Sequence, residues 1–449
     1  MALFVHLKRE QKEAIGLLQV GTFLEYFDLM IYVHMAVLLN DLFFPKTDAH
    51  TAALLSAFAF CSTFVLRPFG ALLFGYIGDN IGRKTTVVLT TMMMSLSCIV
   101  MANIPTYEQI GITAAWAVTL CRIVQGLSSM GEIVGAEIYL TELIKPPAQY
   151  PAVGLMSCSS AFGTMMALAV AMIVFSLQLE WRLVFWFGAS IALIGTIART
   201  RLRETPEFVD MKRRIRKAIA RSRKSEASQT EEFLKKTNFI GKEKVNRTVS
   251  TAFSLVYSAW PFCFYFCYVH CGGILKHDFG YSSEAVIKQN FIVSIIQCVS
   301  YLFFALLSYR VCPLKIIKVK ALILAPFLLI CPYLLINCKT GLHLMMIQSF
   351  VIFFSMTAAP AMPIFIKNFP IFRRFTYTSF IYALTRASMY VVTSFGLVYL
   401  TESLGHWGLL VIMFPVVIGF LWGVRHFEKL EQRSGDLSVL KSSPPIAAA

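Results

Sequence analysis

Long apolar blocks separated by short polar breaks run through the whole chain. Three clear examples are 87–104, 291–308 and 409–424. Because a helix rises about 1.5 Å per residue, about 20 apolar residues are enough to cross a hydrocarbon core of about 30 Å. The blocks therefore predict membrane-spanning helices rather than the buried helices of a water-soluble domain.

Charged or Pro/Gly-rich breaks divide the chain into twelve such spans. We place them at 14–40, 50–76, 85–104, 110–140, 152–177, 182–200, 249–275, 287–309, 316–337, 343–366, 376–400 and 407–426. The predicted fold is an all-α polytopic membrane protein with two six-helix bundles. Its predicted segments are an amino-terminal bundle at 1–200, a basic linker at 201–248, a carboxyl-terminal bundle at 249–430 and a short tail at 431–449.

Composition and charge agree with this interpretation. The chain is 57% hydrophobic and 15% charged, whereas about a quarter of the residues in a soluble domain are charged. The net charge of +16 comes from Lys and Arg residues between the apolar blocks, without aromatic residues interleaved among them, so a nucleic-acid partner is not indicated. The positive-inside rule places these basic loops, the linker and both termini in the cytoplasm. We expect the linker to contact anionic lipids there.

Enzymatic motifs are missing from the sequence. Gly78 and Gly82 are separated by three residues rather than the four of a phosphate-binding loop, and Arg83 precedes Lys84. No H-E-x-x-H motif occurs. We therefore predict neither an enzyme nor a nucleotide-driven pump, and no cofactor.

The eleven cysteines form no CxxC pair and no zinc-type spacing. Cys263, Cys267 and Cys271 share one helical face near His270, and we interpret them as small apolar packing residues. The sequence predicts no metal site.

The break between the second and third spans reads Gly75-Tyr-Ile-Gly78-Asp79-Asn80-Ile-Gly82-Arg83-Lys84. It resembles the G-x-L-a-D-R-x-G-R-[RK] loop of the major facilitator superfamily. Glycine allows close approach of helices, and Asp79 can accept hydrogen bonds from Arg83 or from a helix amino terminus. The resemblance implies a conformational latch, whose predicted residues are Gly75, Asp79, Gly82, Arg83 and Lys84. Asn80 departs from the Arg of the family pattern, and the second-half copy of the loop, at 308–315, is reduced.

Two further motifs extend the resemblance. Arg122-Ile-Val-Gln125-Gly126 is similar to the R-x-x-Q-G pattern of the fourth span of the same superfamily. The run from Gly21 to Tyr32 resembles the G-N-x-x-E-W-Y-D-F-x-x-Y start of its metabolite:proton symporter family. That family implies proton-coupled carriers of osmolytes, such as proline and betaine, or of organic acids, such as α-ketoglutarate and citrate, in the bacterial inner membrane.

Deeply embedded carboxylates occur only in the amino-terminal half, since the chain contains no Asp or Glu between Glu284 and Glu402. If carboxylates carry the protons, coupling must reside in that half, because a carboxyl group in a poorly hydrated helix face can take up a proton near neutral pH. The predicted coupling residues are Glu25, Asp28 and Glu132, with Arg122 as a modulator.

Arg386 lies in the eleventh span with Tyr382 and Tyr390 one turn to either side and no acidic neighbour in its own half. Because an unpaired cation is costly there, its partner is either an amino-half carboxylate across a cavity or an anionic group of the substrate. The residues predicted to bind substrate are Tyr26, Tyr32, Arg67, Tyr382 and Arg386.

A zwitterion leaves the least charge unpaired between an acidic, aromatic first span and these arginines. We therefore favour proton-coupled import of proline or betaine by alternating access. A di- or tricarboxylate that uses Arg67, Arg122 and Arg386 together is the alternative. A membrane sensor that binds a metabolite without transporting it is a second alternative, because the second-half loop is eroded.

Overall fold

The structure is a computed structural model that describes residues 4, 6–43, 64–177, 180–210, 212–213, 245–371 and 373–434, and it has no β-strand within these ranges. The helices of the amino-terminal half are α1 (Arg9–Phe43), α2 (Arg67–Asn80), α3 (Arg83–Asn103), α4 (Ile112–Met130), α5 (Ala136–Leu143), α6 (Gln149–Leu177) and α7 (Arg182–Arg199). Those of the carboxyl-terminal half are α8 (Arg247–Phe264), α9 (Cys271–His277), α10 (Ser283–Leu307), α11 (Pro313–Ile336), α12 (Gly341–Phe353), α13 (Met362–Lys367), α14 (Arg374–Leu404) and α15 (Leu409–Ser434).

Local sequence signals account for where several helices begin. The side chains of Asn246, Ser282 and Thr340 accept hydrogen bonds from the first turns of α8, α10 and α12. Such side chains satisfy backbone N–H groups that have no partner within the helix. Pro313 opens α11, where its missing N–H group removes no helical hydrogen bond.

The all-α prediction is confirmed, and most predicted spans match a helix to within a few residues. By length and composition, the described residues contain seven helices capable of crossing a membrane. The tenth span differs from the prediction, because α12 ends at Phe353 and α13 begins only at Met362. Pro360 and Pro363 explain this break, since proline lacks a hydrogen-bond donor and disfavours helical conformation in the preceding residue.

Two π-helical turns interrupt otherwise continuous spans. Gly131–Gly135 joins α4 to α5, and Tyr265–His270 joins α8 to α9. A π-helical turn holds more residues than an α-helical turn, so it changes which side chains face a given direction afterwards. The first turn also needs small residues, because a Cβ atom at Gly131 would lie 2.3 Å from the side chain of Thr90.

Each half has its own packing, and two long contacts join the halves. In the amino-terminal half, α1 packs on α6 and α3 on α7, while α8 packs on α14 and α15 in the other half. Arg199 is buried and donates to the carbonyl groups of Leu17 and Leu18, which ties α7 to α1. The halves meet where α6 lies along α10 and α2 lies along α14. Any cavity between these contacts is therefore walled by both halves.

Several predictions concern residues outside the described part of the chain. The start of the second span falls in 44–63, most of the basic linker in 211 and 214–244, and most of the tail in 435–449. The segment boundaries, the lipid contacts of the linker and the side of the membrane on which the termini lie stay predictions. Lys320, which lies close to a predicted basic loop, is buried within α11.

Candidate functional site

A small cavity of about 40 Å³ lies between the two halves. That volume holds only a few water molecules, since one occupies about 10–15 Å³ on this measure. Its walls come from α1, α5, α6, α8, α10, α13 and α14 and are largely aromatic and polar. The polar and aromatic lining residues are Thr22, Tyr26, Glu137, Ser157, Ser160, Tyr257, Trp260, Tyr301, Thr357, Tyr382 and Arg386.

Arg386 and Glu137 bring opposite charges to this cavity from opposite halves. The charge of Glu137 interacts with Arg386, and both side chains are buried. Arg386 also lies over the ring of Tyr382 at 4.7 Å and donates from Nη1 to the Tyr26 hydroxyl at 3.4 Å. Within the described residues, its Nε atom has no hydrogen-bond partner. The Nε–H group of Arg386 is thus an unused hydrogen-bond donor beside the cavity, and an anionic group there could accept a hydrogen bond from it.

Two buried ion pairs lie inside the amino-terminal half, away from the cavity lining. Arg67 Nη2 contacts Glu25 Oε1 at 2.7 Å, which joins α2 to α1. Arg122 Nη1 lies 3.4 Å from Asp28 Oδ2, which joins α4 to α1. Gln125 Nε2 donates to Asp28 Oδ1 at 3.1 Å and extends this second cluster.

The structure thus separates residues that the sequence grouped together. Of the predicted substrate-binding residues, Tyr26, Tyr382 and Arg386 line the cavity, whereas Arg67 does not and is paired with Glu25. The predicted coupling residues Glu25, Asp28 and Arg122 all lie in the two ion-pair clusters. The side chains of Tyr32 and Glu132 are outside the described part of the structure.

Glu137 is the main cavity residue that the sequence prediction missed. It is the next carboxylate after Glu132 in the fourth span, and it follows the π-helical turn at 131–135, which contains Glu132. Helical spacing counted from Arg122 therefore does not give the direction of Glu137. The available signal was the carboxylate itself, since a third ionisable residue in one span needs a partner.

The second site of interest is the contact between the end of α2 and the start of α14, which we term the latch. Asp79 accepts hydrogen bonds from the backbone N–H groups of Phe375 and Thr376 at 3.1 and 2.9 Å. The hydroxyl of Thr376 donates to the same carboxylate at 2.7 Å, and Arg83 contacts it at 3.1 Å. Asp79 therefore binds the positive amino terminus of a helix from the other half.

Arg83 and Arg374 extend the latch through acidic side chains, of which Glu142 is buried. Glu142 Oε1 lies 3.4 Å from Arg83 Nη2 and 3.1 Å from Arg374 Nη1. Arg374 also contacts Glu207 at 3.0 Å, and Glu204 accepts from the backbone N–H group of Arg83 at 3.0 Å. The sequence prediction included Arg83 but missed these partners, because they are far away in sequence.

The glycines of the latch are explained by close packing. A Cβ atom at Gly75 would lie 2.7 Å from Thr376 Cα, and one at Gly78 would lie 2.4 Å from the ring of Phe375. A Cβ atom at Gly82 would overlap the carboxylate of Glu204. Of the other predicted latch residues, Lys84 takes part through its backbone N–H group, which donates to Glu204 at 3.3 Å.

A polar cavity between two helical halves, with a charged contact at one end, is the arrangement of a secondary transporter. The family model of the Major Facilitator Superfamily matches residues 18–397, and the chain belongs to this superfamily. It therefore has the multi-pass, twelve-helix, two-domain fold of this superfamily, whose members are transporters rather than enzymes.

Similar proteins agree with this class. The chain is 36% identical to the inner membrane metabolite transport protein YhjE of Escherichia coli over 42% of this chain and 45% of that protein. It is 31% identical to the proline/betaine transporter of Salmonella typhimurium over 44% and 41% of the two chains. These matches span less than half the length of either relative. Among solved structures, the proton:xylose symporter XylE superposes with a TM-score of 0.72 at 14% identity, covering 93% of this chain and 95% of that one.

Replacing Asp79 with Asn should loosen the latch. The substitution removes the negative charge that Arg83 and the first turn of α14 face, and hydrogen bonds to charged groups stabilise by about 1.5–3 kcal/mol. We expect the amide hydrogens of Phe375 and Thr376 to exchange at least about tenfold faster, measured by hydrogen–deuterium exchange in detergent.

Asn80→Ala is the matched control, because the exposed Asn80 side chain bonds only to the carbonyl group of Tyr76 in its own helix. Equal exchange in the Asp79→Asn and Asn80→Ala proteins would show that the Asp79 charge does not hold the two halves together.

Proposed function

We propose that this protein is a proton-coupled symporter that imports a small zwitterionic osmolyte, such as proline or betaine, across the bacterial inner membrane. The observation that carries the proposal is that Arg386 and Glu137, one from each half, line the same aromatic cavity. A zwitterion can pair with both side chains at once, whereas a solute without charged groups would pair with neither.

The cavity offers separate partners for the two ends of such a substrate. The carboxylate would bind Arg386, whose Nε atom has no acceptor among the described residues. The ammonium group would bind near Glu137, beside the rings of Tyr257 and Trp260, because aromatic faces attract cations. Since the cavity now measures about 40 Å³, the halves must separate before a substrate enters.

A di- or tricarboxylate fits the cavity less well. That alternative needs Arg67, Arg122 and Arg386 together, yet Arg67 and Arg122 are paired with carboxylates inside the amino-terminal half. In the cavity, a second carboxylate would instead meet the like charge of Glu137.

Proton coupling is proposed for the ion-pair clusters on α1. Asp28 is bound by Arg122 and Gln125, and Glu25 by Arg67. Protonation of either carboxylate would weaken its ion pair and release an arginine inside the amino-terminal half. Tyr26 lies on the same helix and contacts Arg386, so a movement of α1 would reach the cavity directly. Glu132 stays a coupling candidate on sequence grounds.

Alternating access would use the two contacts between the halves. We propose that the latch end faces the cytoplasm, as the positive-inside rule predicts for the loops around Arg83, Lys84 and Arg374. The arrangement with the latch formed is then closed to the cytoplasm. Opening requires α2 to leave α14 and α6 to leave α10 at that end.

Names of relatives support the substrate class. Besides the proline/betaine transporter, the chain is 32% identical, over 44% of its length, to the glycine betaine/proline/ectoine/pipecolic acid transporter OusA of Dickeya dadantii. A proton gradient supplies enough energy. Moving one positive charge inward gains about 2.3 kcal/mol per 100 mV, and each unit of pH difference adds about 1.4 kcal/mol per proton. Hundredfold accumulation needs about 2.7 kcal/mol.

Purified protein in vesicles should accumulate radiolabelled proline or betaine when the interior is alkaline and negative. Because protons supply the energy, an uncoupler should abolish accumulation while leaving exchange of internal for external substrate intact. The measurement is uptake with and without the gradient, with α-ketoglutarate and citrate in parallel. Accumulation that ignores the uncoupler would refute proton coupling, and binding without any uptake would favour the sensor alternative.

Two substitutions should separate binding from coupling. Glu137→Gln removes the cavity charge, so the KM for a zwitterion should rise about 10- to 100-fold in both uptake and exchange. Asp28→Asn leaves the cavity lining intact, so exchange should persist while gradient-driven accumulation falls at least about tenfold. Identical effects of the two variants would contradict the division between cavity and coupling cluster.

Native cysteines provide a test of the movement between α6 and α10. The Sγ atoms of Cys158 and Cys298 face each other at 3.8 Å across this contact, and a disulfide needs about 2.0 Å. Oxidation with diamide should therefore cross-link the halves and stop transport, and a thiol reductant should restore it. Cys298→Ser is the control that should transport before and after diamide. Full transport by cross-linked wild-type protein would show that α6 and α10 need not separate at this level.

A further inference from the structure

Lys320 is a buried cation that the site described so far does not use. Its residue is 2% exposed, and its ammonium group lies 4.5 Å from the centre of the Phe304 ring. The sequence has no Asp or Glu between Glu284 and Glu402. Among the described residues, Lys320 forms no ion pair, and the nearby Glu428 of α15 is paired with Lys318 instead. By contrast Lys318, two residues earlier, is 43% exposed in its side chain and contacts Glu428 at 2.7 Å.

A second, smaller space lies between Lys320 and the central cavity. It measures about 10 Å³, enough for one water molecule, and is lined by Lys320, Phe304, Gly154, Pro360 and Tyr301. Tyr301 also lines the central cavity. The wall of the space beside Lys320 and the wall of the central cavity therefore have Tyr301 in common.

Chain direction puts Lys320 on the latch side of the cavity. α14 begins at the latch, and α12, α11 and α10 precede it as successive antiparallel spans, so α11 also begins at the latch end. Lys320 is seven residues after Pro313, about 10 Å along the axis. Its ammonium group thus lies between the central cavity and the end that must open for release.

The wall beside Lys320 is formed by the contact between the halves. A Cβ atom at Gly154 of α6 would lie 3.0 Å from Ala305 of α10 and 3.2 Å from Pro360. When α6 leaves α10 at the latch end, this wall opens and the space beside Lys320 joins the central cavity. An ammonium group without an anionic partner is costly in such surroundings, and a passing carboxylate would relieve that cost.

We infer that Lys320 is a second carboxylate-binding group, which receives the carboxylate of the substrate from Arg386 on its way to the latch end. This inference rests on the proposed function for the identity of the substrate, and on the structure for the position of the group. Arg386 and Lys320 would then bind the carboxylate of the substrate one after the other, both from the carboxyl-terminal half.

Chemical labelling of Lys320 tests its position. A small amine-reactive reagent, such as formaldehyde with cyanoborohydride, should leave Lys320 unmodified in wild-type protein with the latch formed. In the Asp79→Asn protein the opened latch end should expose it, giving an increase of about tenfold or more in labelling by peptide mass spectrometry. Lys318 serves as an internal control, because it is exposed in both proteins.

Protection by substrate tests the binding role. Betaine should slow labelling of Lys320 in the Asp79→Asn protein, whereas choline, which has the same cationic head but no carboxylate, should not. In vesicles of otherwise wild-type protein, Lys320→Met should lower net uptake about tenfold or more, and Lys320→Arg should retain most of it. Lys318→Met should transport like the wild type.

Three outcomes would overturn the inference. First, Lys320 could stay unreactive in the Asp79→Asn protein although hydrogen exchange shows that the latch is open. Lys320 would then not face the path to the latch end. Equal protection by betaine and choline would mean that no carboxylate is bound. Normal uptake by Lys320→Met would mean that the cation is dispensable. If wild-type protein transports neither proline nor betaine, the proposed substrate is wrong, but the carboxylate-binding role of Lys320 can still be tested. Succinate then replaces betaine, and its diamide, which has no carboxylate, replaces choline in the same labelling experiment.

Discussion

Charge inside an apolar interior must be compensated, and this constraint determines the arrangement of the whole molecule. A charged side chain at the centre of a span costs about 2.5–3.5 kcal/mol on insertion scales. Arg67 and Glu25 are compensated as a contact pair, whereas Arg386 relies on hydroxyl, ring and longer-range charge contacts. The buried charges of the described residues therefore divide into groups that form contact ion pairs and groups, such as Arg386, that do not.

A buried charge contact can act as a conformational switch when it joins the two halves rather than two helices of one half. The pairs on α1 lie within one half and can persist while the halves rotate. Asp79, Glu142 and Arg374 are instead compensated across the two halves, so opening the latch exposes their charges to water at the same moment. A buried ion pair adds little net stability but fixes one arrangement, because leaving one partner alone in the interior is strongly unfavourable. Such a contact favours two discrete states over a continuum.

The sequence was sufficient for the all-α architecture, because the length of each span depends on local pattern. Apolar block length gives the spans, and close glycine spacing gives the tight approach of α2 to α14. The candidate site was less predictable, because it depends on the direction in which each side chain points from its helix. The π-helical turn at 131–135 hides the orientation of Glu137, and Lys320 lies too near a basic loop to be distinguished from a topology signal. The contact between Arg67 and Glu25 could not be predicted either, because it depends on how α1 and α2 face each other.

The two halves contribute opposite chemistry to one path. All embedded carboxylates belong to the amino-terminal half, and the cations that face the spaces between the halves, Arg386 and Lys320, belong to the carboxyl-terminal half. In the proposed mechanism, protons would bind to one wall while the carboxylate of the substrate moves along the other. Tyr26 is the contact between the walls, since it lies on α1 between Glu25 and Asp28 and bonds to Arg386. Protonation of a carboxylate on α1 would then change how Arg386 binds the substrate, through the hydroxyl group of Tyr26. The proton and the substrate would not compete for the same side chain.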